Sequence, residues 1–148
     1  MSIQEVMHKA GVQEVTISGW NGDEVVVKLR RPSLTGMIVG EFIPNPLLKT
    51  VEKLFRHRAD ELAEIDSVQQ AKALHCIAAQ ALVEPTMEQL EKAGAFLTDE
   101  QYMEIYAFAI GGAASLARFR AFAGSGAGWN VAEHAGATQR IDGDQPSV

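Results

Sequence analysis

Four histidines and one cysteine are the side chains best suited to ligate a metal or carry nucleophilic chemistry: His8, His57, His75, His134 and Cys76. A metal site needs several such ligands at workable spacing, and these five are dispersed. His75 and Cys76 are neighbours, but on a helix they point about 100° apart and make no chelating pair. A reactive thiol needs an electropositive, partly open setting, whereas Cys76 is flanked by alanine-rich sequence. The carboxylates Asp60, Glu61, Glu64 and Asp66 lack the glycine and the spacing of a calcium loop and read as a solvated acidic face. Gly124-Ser125-Gly126-Ala127-Gly128 follows a helical pattern and lacks a lysine, so it reads as a linker and not as a phosphate cradle. No nucleophile, base and orienting group come together in the sequence. The expectation is a non-enzyme with no metal and no cofactor.

The elements that would position any site must fit into 148 residues, which suits one domain with one core. Apolar residues make up 47% and charged residues 22%, close to the average for globular chains. Charge is unevenly spread. Residues 1–58 hold eight Lys or Arg against six Asp or Glu, residues 59–104 hold two against ten, and residues 105–148 hold three against three. An acidic middle third repels phosphate backbones, so nucleic acid is excluded as a partner class. The N-terminal MSIQEVMHKAG lacks the apolar core of a signal peptide, and the uncharged apolar stretch 105–117 falls short of the roughly 20 residues that span a bilayer. A cytoplasmic location away from the membrane is expected.

Val15, Ile17, Val25 and Val27 alternate with polar residues on either side of Trp20-Asn21-Gly22, the pattern of a β-hairpin. With a three-residue loop and Gly22 left-handed, Ile17 faces Val25, Val15 faces Val27 and Glu14 faces Lys28. Beyond Pro32 the period becomes helical. Ser33 caps a short helix that Gly40 ends, and Asn45 caps a helix from Pro46 to His57 with Pro46 in its first turn. Ser67 with Gln70, Thr86 with Gln89, and Thr98 with Gln101 each have capping-box spacing. These predict a helix from Ser67 to about Val83, a brief one ending at Gly94, and a long one from Thr98 to about Phe122, with Leu97 stapled on Tyr102. The fold class is α+β and predominantly helical: an N-terminal β-hairpin subdomain over 1–31, a bundle of about four to five helices over 32–123, and a flexible tail over 124–148.

Gly111-Gly112 in the middle of the long helix costs about 1 kcal/mol per glycine and demands a reason. One reason is close approach by another helix of the domain. The other is docking of a partner helix or a second copy on the small-residue patch, flanked by Phe108, Phe119 and Phe122. Trp129 is a candidate anchor in the tail.

The segment VVVKLRRPSLTGMIVGEFIPNPLL, from Val25 to Leu48, resembles the tail assembly chaperones of long-tailed bacteriophages and related prophages. The matching residues are Arg30-Arg31-Pro32-Ser33-Leu34 and Ile43-Pro44-Asn45-Pro46-Leu47. A later stretch, ALVEPTMEQLEKAGAFLTDEQYMEIYAFAIGG, is similar to the family's Glu-Pro segment and its Leu-Thr-Asp-Glu-Gln helix start, and together the matches cover most of residues 14–122. The resemblance implies a helix-rich protein of the bacterial host cytoplasm that coats the tape-measure protein, recruits tail-tube subunits and is absent from the mature virion. Self-association is a further option. The competing expectation is a structural tail-completion or connector subunit. Of the motif residues, Arg30 and Arg31 are expected to pair with acids such as Glu52 or Glu41, while Pro44 and Pro46 fix the chain direction.

Overall fold

The computed structural model describes residues 2–56 and 65–124. Helix α1 (Ile3–Ala10) opens with a reciprocal cap in which the Ser2 amide donates to Glu5 Oε1 and the Glu5 amide to Ser2 Oγ. Strands β1 (Gln13–Ser18) and β2 (Glu24–Leu29) then form the hairpin, with Ile17 opposite Val25, Val15 opposite Val27 and Glu14 opposite Lys28. The Gly19 amide donates to Asp23 O at 2.8 Å and Gly22 sits at φ +82°, so the loop is Trp20-Asn21-Gly22 as the alternation requires.

Helix α2 (Leu34–Val39) starts on Ser33, whose hydroxyl accepts from the Gly36 amide. Its end differs from expectation. Gly40 is right-handed, and the left-handed residue is Glu41 at φ +59°. The Phe42 amide donates to Met37 O and the Glu41 amide to Ile38 O, the two crossing bonds of a Schellman end. Gly40 matters for a different reason: a Cβ there would make the Phe42 ring shift. A left-handed non-glycine residue is held against about 1–2 kcal/mol of strain, partly offset by the extra entropy that glycine loses on folding. Glu41→Gly is therefore expected to stabilise the fold by about 0.5–1 kcal/mol, read as a higher urea midpoint at unchanged slope.

The Pro44-Asn45-Pro46 start is also built differently. Asn45–Leu47 is a 3-10 turn preceded by Pro44, with no side-chain cap, and it leads into α3 (Leu48–Arg56). The Asn45 backbone carbonyl, not its side chain, accepts from the Leu48 amide. His57 lies outside the described residues. Helix α4 (Ser67–Ala81) begins one residue early for the expected Ser67 box: Asp66 is its N-cap, its carbonyl accepts from the Gln70 amide, and no side chain caps. The helix stops at Ala81 because Leu82–Glu84 turns into a third strand, β3, which pairs antiparallel with β2 across a bulge at Lys28/Leu29. Helix α5 (Met87–Lys92) carries both halves of the Thr86–Gln89 box and ends at Gly94, φ +74°.

Helix α6 (Asp99–Gly124) carries both halves of the Thr98–Gln101 box, but it is not continuous: Gly112 lies at φ +79°, ψ −164°, outside helical space. Helices α4 and α6 lie side by side and divide the core. On the sheet side Ile17, Leu29, Ala78, Leu82, Ile105 and Phe108 pack together; on the other, Met37, Val51, Leu54, Ile77 and Tyr106 do so. Buried Tyr106 spends its hydroxyl on Leu54 O at 2.7 Å, near the end of α3, and burial pushes its pKa up. The chain is thus a three-stranded antiparallel sheet with a predominantly helical body.

Candidate functional site

The segment from Phe42 to Leu47 forms one wall of an apolar groove of 480 Å³. Phe42, Pro44 and Leu47 come from that segment; Ala71, Lys72, His75, Cys76, Ala79 and Gln80 come from α4. The Schellman end of α2 sets Phe42 on the groove while leaving it 55% exposed, and the adjoining Val39 is 77% exposed. Ile38 is exposed as well. A second exposed apolar face is the Ile3, Val6, Met7 stripe of α1, at helical i, i+3, i+4 spacing.

The reactive-looking groups at the groove are committed elsewhere. Cys76 Sγ lies 3.6 Å from Phe42 O and donates to it, and burial pushes its thiol pKa up, away from the thiolate. His75 shares Nδ1 with the Tyr102 hydroxyl at 2.8 Å and sets Nε2 3.5 Å from Glu91. Both ring nitrogens therefore face α5 and α6, not the thiol. Among the described residues no three His, Cys, Asp or Glu side chains form a group that could hold a metal ion. Asp60, Glu61, Glu64, His134 and Trp129 lie outside the described residues, as does the side chain of His8.

A second polar assembly joins α6 to the edge of the sheet. β1 is an edge strand, and three α6 side chains take backbone groups on it: Glu104 Oε1 accepts the Ser18 amide at 2.7 Å, Gln101 Nε2 donates to Ser18 O at 2.8 Å, and Arg120 Nη1 donates to Thr16 O at 2.8 Å. Glu104 Oε2 also accepts the Ser18 hydroxyl at 2.8 Å and lies 3.6 Å from Arg120 Nε. Arg120 makes a further ion pair with Glu24. Glu104 is 1% exposed, and its burial raises the carboxyl pKa more than the Ser18 hydrogen bonds and the Arg120 charge lower it.

A raised carboxyl pKa in the folded state means that the fold favours the protonated form. This contribution is full below the unfolded-state pKa of a glutamate and is lost as pH climbs through the raised folded value. Glu104→Gln is expected to remove that component of the pH dependence, which urea midpoints measured on either side of the window will show.

The paired arginines do not meet the acids expected of them. Glu52 pairs with Arg56 at 3.2 Å, within α3. Arg30 donates from Nε to Gln80 O at 3.3 Å, and its amide donates to Ala81 O, both at the end of α4. Arg31 donates from Nη2 to Ile110 O at 2.6 Å, with Nε 3.5 Å from Ala109 O. The two guanidinium groups thus close the negative ends of two helical segments, a role that attracts cations as surely as a carboxylate does. Here lies the reason for Gly112. It breaks α6, Arg31 takes the carbonyls just before the break, and Arg31 is what a side chain at 112 would meet.

Phe108 and Phe119 are 1% and 2% exposed, and Gly112 is buried, so these three belong to the interior. Gly111 is exposed and Phe122 half-buried. Spacing alone does not reveal the groove at Phe42, although a run of Met37, Ile38, Val39 and Phe42 around one glycine is more apolar than a six-residue helix needs. Glu104 had a visible signal too: it lies on the α6 face shared by Ile105 and Phe108, where a carboxylate requires partners.

No protein-family model, curated protein or solved structure matches this chain. No helix among the described residues is long and apolar enough to cross a membrane.

Proposed function

We propose that the protein is a tail assembly chaperone of the long-tailed phage type, which holds an amphipathic helix of a tape-measure protein in the bacterial cytoplasm, helps recruit tail-tube subunits and leaves before the virion is complete. The observation that carries this reading is the coincidence of two features: residues 30–47 bear the family pattern, and the same segment supplies Phe42, Pro44 and Leu47 to an open apolar groove. Grooves of this kind take the apolar face of a helix at i, i+3, i+4 spacing. Ile38 and Val39, on the helix that leads into Phe42, are further exposed apolar side chains. The reading assigns the protein no bond-making or bond-breaking step.

Co-expression with a tape-measure fragment is expected to raise the fragment's solubility and to give a complex on size-exclusion chromatography. The absence of both rescue and complex would contradict the reading. Mass spectrometry of purified particles separates a chaperone from a tail-completion or connector subunit, because a chaperone is missing and a subunit is present at fixed stoichiometry.

A further inference from the structure

We propose that the groove at Phe42 is filled, when no other protein is bound, by helix α1 of a second copy, and that two copies exchange these helices reciprocally. Ile3, Val6 and Met7 form one exposed apolar stripe on α1, and Glu5 lies on the opposite face. The groove is the matching half of such a contact. Ala71, Cys76 and Ala79 of α4 are short side chains that admit a helix against Phe42 and Leu47. From Ala71 to Ala79 the groove follows α4 for about 12 Å, the same about 12 Å over which an eight-residue helix rises. The root of α1 is close by: Gln13 pairs with Leu29, and the next residue, Arg30, donates to the carbonyl of Gln80, which lines the groove. Only Gly11 and Val12 join α1 to β1, and on this short link the stripe stands open to solvent instead of lying on its own groove. A helix to give and a groove to take one, near each other on one surface, suit a two-fold pair that closes with neither left over. Area decides between one contact and two. A helix 12 Å long and about 10 Å across seals on the order of 500 Å² with both surfaces counted, too little for a specific interface. Two reciprocal contacts reach the roughly 1,000 Å² at which such interfaces begin. The pair is therefore weak, and a longer apolar helix displaces α1.

The inference rests on the proposed function only in that the groove receives a helix. Sedimentation equilibrium of the full chain is expected to show monomer and dimer in a concentration-dependent balance. Met7→Asp, which charges the stripe, and Ala71→Glu, which fills the groove from an exposed position on α4, are each expected to weaken the dimer at least about tenfold. Glu5→Gln, on the far face of α1 and still able to accept from the Ser2 amide, is expected to change it less than about twofold. Placement is read from a mixture of isotope-labelled wild type and unlabelled protein with a spin label on Gln4→Cys in a Cys76→Ser background. Amide resonances of Phe42, Ala71 and Ala79 in the wild-type copy are expected to broaden. A monomer at every concentration, a dimer that Met7→Asp leaves intact, or broadening away from the groove would overturn the proposal. A tape-measure fragment that binds the groove of a strictly monomeric protein would overturn the exchange and leave the proposed function in place; a dimer that binds no fragment would do the reverse.

Discussion

Glu104→Ala is expected to cost the fold about 2–4 kcal/mol, read as a drop in urea midpoint with little change in slope. The side chain is fully enclosed and satisfies the amide and the hydroxyl of Ser18 at once. Alanine leaves both without a partner and opens a void where β1 meets α6. Arg120 is left with Thr16 O and Glu24, so the loss is chiefly one of unsatisfied polar groups and less one of Coulomb attraction. Glu104→Gln distinguishes the two: its amide oxygen still accepts the Ser18 amide, so most of the stability should return. Equal losses for the alanine and glutamine variants would show that the Ser18 bonds are not what Glu104 contributes.

Gly112→Ala is expected to cost about 1–3 kcal/mol. The penalty is conformational and not steric, since an added Cβ would sit 3.5 Å from Arg31 Cδ, an ordinary contact. The alternative open to the variant is to straighten α6 into a continuous helix, which would pull Leu116 and Phe119 away from the sheet and expose them. Circular dichroism and the urea midpoint together read both effects: a lower midpoint with helicity kept or raised is the expected pair. An unchanged midpoint would mean that the break at Gly112 is not a feature the fold maintains.

How far the fold was legible depended on whether its cause was local. The register of β1 and β2 follows from alternating Val15, Ile17, Val25 and Val27 around a glycine turn, and the structure has it residue for residue. Two of three capping boxes, at Thr86 and Thr98, formed because helix ends make local demands on backbone amides. The third failed when Asp66 began the helix one residue earlier and left Ser67 inside. The Ser2–Glu5 box that opens α1 has the same signature. Strand β3 has only three residues, too few to show a period, and owes its state to the free edge of β2.

The arginines show the limit most plainly. Spacing cannot tell a guanidinium bound for a carboxylate from one bound for a helix end, because both targets are negative and the second exists only once α4 and α6 have been brought to the same place. The groove was hidden for a related reason. Phe42 is far in sequence from Ala71 and Ala79 of α4, and the left-handed Glu41 turns the chain before it.

The central claim is that the groove beside residues 30–47 receives a helix from another chain. It is tested most directly by titrating isotope-labelled protein with a tape-measure fragment and following backbone amide resonances. The account predicts saturable shifts concentrated at Phe42, Leu47, Ala71 and Ala79, weakened when Phe42→Asp places a charge on the groove. Saturable binding whose shifts lie elsewhere, or a titration with no shifts, would contradict it.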